Sequence, residues 1–147
     1  MDSLEALLEA SGAPVAGAPQ LELLHVPRFS SSVVVATIAE AMLPVLVRVV
    51  GFPDELRTDP AVARDTCGLR VVPCLRQHGT SGAPPLMVES SAIIEFLLES
   101  FAAGGSASAA ALRVAPGAAE RSKYLSLLTY AMATVKPLVS NAIFLAR

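Results

Sequence analysis

The sequence predicts an α/β domain in which a β-α-β unit precedes a β-β-α unit, followed by the beginning of an all-α domain. Three observations carry this prediction. Short apolar segments bounded by proline, typical of buried strands, alternate with longer apolar runs at helical spacing. A polar, glycine-containing stretch joins two of the strands, as in a hairpin. A stretch rich in glycine, serine and alanine then separates these elements from one further helical pattern.

The chain opens with residues 1–19, in which a short acidic helical pattern gives way to glycine, proline and alanine. This composition predicts a flexible arm. Residues 20–26 form a short apolar segment between Pro19 and Pro27. They predict the first buried strand of a domain that comprises residues 20–102.

The first helix is predicted at residues 33–42, a continuous apolar run that follows three serines. A serine is a good N-cap, which favours a helix beginning here. The three consecutive valines are poor helix formers, so periodicity alone leaves a strand open. Pro44 ends this element, and residues 45–50 predict a second buried strand. A polar, turn-rich stretch follows, with a short helix predicted near residues 60–64.

Residues 69–76 and 85–88 predict two more strands joined by a hairpin-type connection. Ser90 then caps a helix with apolar residues at helical spacing. Residues 103–117 are predicted as a linker, and residues 118–147 as the first helix of an incomplete helical domain. A β-α-β unit followed by a β-β-α unit is the arrangement of the thioredoxin fold. The apolar stripe predicted for the last helix comprises Tyr124, Leu128, Ala131 and Val135.

Composition excludes several classes of function. The formal net charge is −2 and lysine and arginine form no cluster, which argues against nucleic acid as a partner. The longest apolar run is interrupted by charge and proline, so no membrane span is expected. The two cysteines and two histidines lack metal-ligand spacing, and no metal site is predicted. The cysteine usage and the acidic N-terminus predict a reduced, cytoplasmic location.

Two sequence motifs flank the predicted hairpin. Residues 71–75 read VVPCL, and residues 88–97, after the hairpin, read VESSAIIEFL. These motifs resemble the pattern of the glutathione transferase family, which is V-P-x-L, a second strand, and then E-S-x-A-I-x-x-Y-L. Residues 116–125, PGAAERSKYL, resemble the opening of the family's helical domain. The resemblance extends from about residue 21 to the end, and it is nearest to bacterial and fungal members.

This resemblance implies a glutathione site. In the family the bond before Pro73 is cis, and the backbone of the preceding residue, here Val72, pairs with the cysteinyl part of glutathione as a strand adds to a sheet edge. Ser90 would bind the γ-glutamyl carboxylate at a helix N-terminus. Glu89 would bind the ammonium group, and Arg70 the glycyl carboxylate. Glutathione would be a co-substrate, with no bound cofactor implied.

Catalysis in the family requires a group at the start of the first helix that acts on the bound thiol. No tyrosine or cysteine lies between residues 21 and 42. The resemblance therefore implies a serine-type enzyme, with Ser30 as the candidate and Ser31 and Ser32 as alternatives. An alignment without gaps places Phe29 at the serine position of the relatives, so an arrangement with no catalytic serine also stays open.

The function implied is a glutathione transferase that conjugates glutathione to small electrophiles, a detoxification reaction, with a homodimer expected. The alternative is a non-catalytic protein-interaction module, as in elongation-factor gamma subunits and synthetase complexes. A glutathione-dependent reductase or peroxidase is least favoured, because the first helix lacks cysteine and Cys74 is predicted to be a buried packing residue. Tyr124 and Tyr130 are predicted to line the acceptor pocket or to belong to the core.

Overall fold

A computed structural model describes residues 20–78 and 87–145 of the chain. The predicted arm at residues 1–19 and the hairpin connection at residues 79–86 lie outside the described residues. The described chain forms a mixed α/β fold around a four-stranded sheet in the order β2-β1-β3-β4. This order matches the predicted thioredoxin-like β-α-β and β-β-α arrangement.

The β-α-β unit consists of β1 (Leu21–His25), α1 (Ser31–Glu40) and β2 (Val45–Val49). The two strands run parallel, as a helical crossover between them requires. The apolar run that could have been either a helix or a strand is therefore a helix. It begins and ends two residues earlier than the predicted range of 33–42.

The β-β-α unit consists of β3 (Cys74–Gln77), β4 (Met87–Val88) and α4 (Ser90–Ala103). Strand β3 is antiparallel to both β1 and β4. The predicted strand at residues 69–76 is shortened at its start, since Pro73 has no N–H group to donate to a neighbouring strand. The segment before β3 thus leaves the sheet and becomes available to form part of a site.

Each face of the sheet packs against its own apolar cluster. Leu23 of β1 belongs to the larger cluster, which includes buried residues of α1 and α4. Leu24, the next residue, faces the other way and packs with Cys74 of β3. This alternation is what a strand covered on both sides requires. Helices α1 and α4 are thereby fixed on the same face of the sheet.

Two short helices follow β2 on the chain. They are α2 (Asp54–Thr58), which the sequence did not predict, and α3 (Pro60–Asp65), which confirms the helix predicted near residues 60–64. The Asp59 carboxylate accepts a hydrogen bond of 2.7 Å from the Ala61 N–H group and caps α3. Pro60 occupies the first position of α3, where its missing N–H group costs nothing.

A cluster of buried charges joins α3 to the sheet. Arg76 of β3 is ion-paired with Glu22 of β1 at 3.7 Å and with Asp65 at the end of α3. Asp65 also accepts a hydrogen bond of 2.6 Å from Arg48 of β2. Buried charges are tolerated only when they are paired in this way. The cluster therefore has a structural role, because each charge named here faces an opposite one.

The stretch predicted as a linker, residues 103–117, is partly helical. It contains α5 (Ala107–Ala111), whose first turn is capped by the Ser106 hydroxyl. Ala109 is fully buried, and the Ser108 hydroxyl donates a hydrogen bond of 2.6 Å to the Ala41 carbonyl. These contacts fasten α5 to the end of α1. Small residues permit this close packing. Composition alone does not distinguish a packed segment of small residues from a flexible linker.

The C-terminal helix is continuous but not uniform. It consists of α6 (Arg121–Tyr130), a π-helical segment (Ala131–Val135) and α7 (Lys136–Leu145). The predicted stripe is correct for Tyr124 and Leu128, which are half-buried, and wrong for Ala131 and Val135, which are exposed. The half-buried positions that follow are Met132 and Lys136.

The π-helical segment explains this change of face. An α-helix has 3.6 residues per turn, so a buried stripe alternates steps of four and three residues. A π-helix bonds residue i to i+5 and has a wider turn. Residues spaced four apart therefore lie on the same face of the helix through the π-helical segment. As a result Met132 and Lys136 continue the line of Tyr124 and Leu128.

The opposite face of this helix is apolar and exposed. Leu138 and Leu127 are 64% and 58% exposed. Its exposed apolar side chains are Leu125, Leu127, Tyr130, Val135, Leu138 and Val139. Across residues 20–78 and 87–145, no helix has both the length and the apolar character needed to cross a membrane.

Candidate functional site

A cavity of about 420 Å³ is the main candidate site of the described chain. Its walls come from the start of α1, the segment before β3, the start of α4 and the C-terminal helix. The structure thus brings together residues that are far apart in sequence. The lining includes five of the six residues predicted for the site: Ser30, Val72, Pro73, Glu89 and Ser90.

Two serine hydroxyl groups connect these walls. The Ser90 hydroxyl donates a hydrogen bond of 3.1 Å to the carbonyl of Ser30. The Ser30 hydroxyl in turn donates one of 3.1 Å to the carbonyl of Val72. The starts of α4 and α1 and the segment before β3 are thereby held together. Ser30 is the N-cap of α1 but makes no side-chain capping hydrogen bond, and Ser90, predicted to cap α4, is instead its first residue, after the N-cap Glu89.

The peptide bond between Val72 and Pro73 is cis, as the resemblance implies. Pro73 is buried and Val72 is half-buried, directly before the first residue of β3. Backbone at the end of a strand can pair with an extended peptide ligand. Val72 is therefore placed where a ligand's main chain could join the sheet.

Glu89 adopts an unusual backbone conformation at the cavity. Its φ is 76° and its ψ is 119°, immediately before the first residue of α4. A positive φ in a non-glycine residue costs about 1–3 kcal/mol and persists only where the surrounding structure imposes it, often at binding sites. The side chain is exposed and presents a carboxylate at the cavity. Such a group is suited to bind an ammonium ion.

The three serines before α1 have three different environments. Ser30 lines the cavity. Ser31 is fully buried, and its hydroxyl bonds the N–H and carbonyl groups of Val26, each at 3.1 Å, and Nδ1 of His25 at 2.8 Å. Ser32 lines a separate, smaller depression beside Arg28. Of the three, Ser30 is the one placed to contact a ligand in the main cavity.

Ser31 has a structural role that predicts a stability effect. Burial lowers the pKa of His25, so a neutral imidazole faces the Ser31 hydroxyl at neutral pH. Ser31→Ala removes the hydroxyl that bonds the Val26 N–H group and His25, while the Val26 carbonyl still accepts a hydrogen bond from the Phe29 N–H group. We expect the substitution to lower the free energy of unfolding by about 1–3 kcal/mol. Chemical denaturation of wild type, Ser31→Ala and the control Ser32→Ala measures this. Equal losses in the two variants would contradict the assignment.

Arg70 is not brought to the cavity. Its guanidinium Nη1 donates hydrogen bonds to the carbonyls of Leu56 and Asp59, at 3.2 and 3.3 Å. These carbonyls lie in and just after α2, where a cation interacts favourably with the C-terminal end of a helix. Arg70 is absent from the described residues that line the cavity. The structure gives this side chain a role in fixing α2.

The C-terminal wall of the cavity was missed by sequence reasoning. It consists of Thr129, Met132, Ala133 and Lys136. The spacing of a regular helix predicted Ala131 and Val135 on the buried face, and the structure exposes both. Tyr124, predicted as a pocket or core residue, is half-buried outside the cavity lining, donates a hydrogen bond to Glu95 of α4, and has its pKa raised by burial to about 12. Tyr130, for which the same prediction was made, is exposed and outside the lining.

The two cysteines differ in their accessibility. Cys67 is exposed, whereas Cys74 is buried and burial raises the pKa of its thiol to about 11. Because the thiolate is the reactive form, we expect one thiol per native chain to react quickly with a disulfide reagent at pH 8, and Cys74 to react only after unfolding. Cys67→Ser removes the fast phase. Two thiols reacting at similar rates in the native protein would refute this.

Comparison of the chain with protein-family models, with curated proteins and with solved structures found no match. The functional argument therefore depends on the geometry of the cavity and on the motifs that line it.

Proposed function

We propose that this chain binds glutathione in the cavity and transfers it, through its sulfur, to small electrophiles. The observation that carries the proposal is the convergence of Ser30, Val72, Pro73, Glu89 and Ser90 on one cavity. The sequence motifs do not by themselves require this, because Ser30 and Ser90 are 60 residues apart. A glutathione transferase is the class that these motifs resemble.

The γ-glutamyl end and the cysteinyl part of the tripeptide have complementary groups, whereas the glycyl carboxylate lacks the Arg70 guanidinium predicted for it. The Glu89 carboxylate would bind the γ-glutamyl ammonium, while Ser90 and the first N–H groups of α4 would bind its carboxylate. The backbone of Val72 would pair with the cysteinyl residue. This arrangement would direct the sulfur toward the start of α1. The Ser30 hydroxyl there donates a hydrogen bond to the Val72 carbonyl in the structure. In the complex it would donate one to the glutathione sulfur instead.

The reaction requires the thiolate of glutathione. A hydroxyl donor and a helix N-terminus both favour the anion over the thiol, whose ordinary pKa is about 8.5. With a chlorinated dinitrobenzene, the thiol proton is released to water and the sulfur forms a bond to the carbon that carries chlorine. The carbon–chlorine bond breaks, and chloride leaves with the bonding electrons. No electron acceptor or metal is needed for this balance.

Calorimetric titration of the chain with reduced glutathione tests the binding step. We expect saturable binding in the micromolar to millimolar range. Cysteinylglycine, which lacks the γ-glutamyl group that Glu89 and Ser90 would hold, is the matched ligand control and should bind much more weakly. A folded protein that binds neither ligand would refute the proposal.

The second candidate is a non-catalytic interaction module. The observation that favours it is the exposed apolar face of the C-terminal helix, with Leu127 and Leu138 mostly exposed. This function predicts partner binding that survives Ser30→Ala, without conjugation of the chlorinated substrate. A cytoplasmic homodimer remains part of the primary proposal, and sedimentation of the purified chain measures its oligomeric state.

A further inference from the structure

We propose that Lys136 makes this site selective for ligands whose electrophilic part carries a carboxylate. The inference rests on the proposed glutathione site and names the class of acceptor that would share the cavity with it. Lys136 lines the cavity from the C-terminal helix and is half-buried. Among the described lining residues it is the one positively charged side chain.

The position of Lys136 is a consequence of the π-helical segment. Met132 and Ala133 of that segment lie on the same wall, and Lys136 follows four residues after Met132. A π-helical turn inside an α-helix often marks a functional site, because it places side chains that a regular helix would turn away. Here it directs one apolar and one cationic side chain to the same cavity.

Two arginines at and before the start of the C-terminal helix are already engaged in ion pairs. Arg121 is ion-paired with Glu95 at 2.5 Å and with Glu99 at 2.8 Å. Arg113 is within 3.8 Å of Glu99. Within the described part of the chain, Lys136 has no such partner among the ion pairs. Its charge is therefore available to a ligand.

The charges of the cavity divide between the two parts of a conjugate. Glu89 and Ser90 complement the ammonium and carboxylate of the γ-glutamyl end. Lys136, on the wall formed by the C-terminal helix, is assigned to an anion on the acceptor part, and the glycyl carboxylate, which every glutathione conjugate shares, is left without a cationic side chain among the described lining residues. The apolar lining of the cavity includes Leu69, Val71 and Met132. An acceptor with an apolar body and a carboxylate, such as an aromatic or unsaturated acid, matches this combination.

A pair of stable conjugates separates this proposal from the glutathione site itself. S-benzylglutathione and its para-carboxylate differ by one negative charge on the acceptor part. We expect the wild-type chain to bind the carboxylate about fivefold more tightly in calorimetry at low salt. Added salt should reduce this preference only in part, because a half-buried ion pair is screened less than an exposed one.

Variants of Lys136 complete the test. Lys136→Ala should abolish the preference, Lys136→Arg should retain it, and Lys123→Ala, on the exposed side of α6, should leave it unchanged. Equal binding of both conjugates by wild type, or a preference that survives Lys136→Ala, would overturn the role of Lys136 while the glutathione site stands. A folded chain that binds neither conjugate would refute the glutathione site and this inference together.

Discussion

Replacing Ser30 by alanine should lower the rate constant of conjugation about 10- to 100-fold and change the affinity for glutathione much less. The Ser30 hydroxyl lies at the start of α1 and, in the proposed reaction, donates a hydrogen bond to the sulfur anion. Hydrogen bonds to charged groups contribute about 1.5–3 kcal/mol, and about 1.4 kcal/mol corresponds to a tenfold change in rate. Steady-state conjugation of a chlorinated dinitrobenzene measures the effect.

The pH profile distinguishes this role from a structural one. Loss of the hydroxyl should raise the pKa of bound glutathione, so the pH of half-maximal activity should rise by about one to two units. Ser32→Ala is the matched control, because Ser32 lies beside Arg28 and outside the cavity. If Ser30→Ala retains the full rate and the same pH profile, Ser30 is not the catalytic serine.

Replacing Glu89 by glutamine should weaken glutathione binding about 10- to 100-fold. The substitution keeps the size of the side chain and removes the negative charge that would pair with the γ-glutamyl ammonium. The same range of about 1.5–3 kcal/mol for charged hydrogen bonds sets this expectation. Calorimetry with reduced glutathione gives the dissociation constant directly.

The backbone of Glu89 provides a second, sharper test. Glycine adopts a φ of 76° without strain, so Glu89→Gly should not lower the free energy of unfolding, even though it loses the carboxylate. Loss of affinity without loss of stability would show that the strained conformation serves ligand binding. A variant that is destabilised, or one that binds glutathione as tightly as wild type, would contradict this role.

The order of elements was predictable from the sequence because it depends on patterns of apolar residues. Pro27 follows β1 and Pro44 separates α1 from β2, and the burial of both faces of β1 makes its apolar pattern nearly continuous. The run of valines in α1 shows how tertiary packing overrides local propensity. A strand there would leave Val34 and Val35 without the cluster that buries them.

The site was predictable only where a local motif encodes it. The motif around Pro73 and the pair Glu89-Ser90 lie within short segments, and all three residues line the cavity. Arg70 was assigned by position alone, and its guanidinium is instead taken by carbonyls of a helix that the sequence did not predict. The wall that includes Lys136 depends on a π-helical segment, for which apolar periodicity contains no signal.

The hydroxyl groups of Ser90 and Ser30 have a consequence for folding. They tie together three segments that are separated by 60 and 42 residues in the chain, and these contacts exist only when α1, α4 and the sheet have all docked. A molecule that binds in the cavity therefore binds the completed fold and not a partly folded chain. At a concentration of about 100 times its dissociation constant, such a ligand shifts the folding equilibrium by about 2.7 kcal/mol. Thermal melting in the presence of cavity ligands thus reports on assembly of the whole domain.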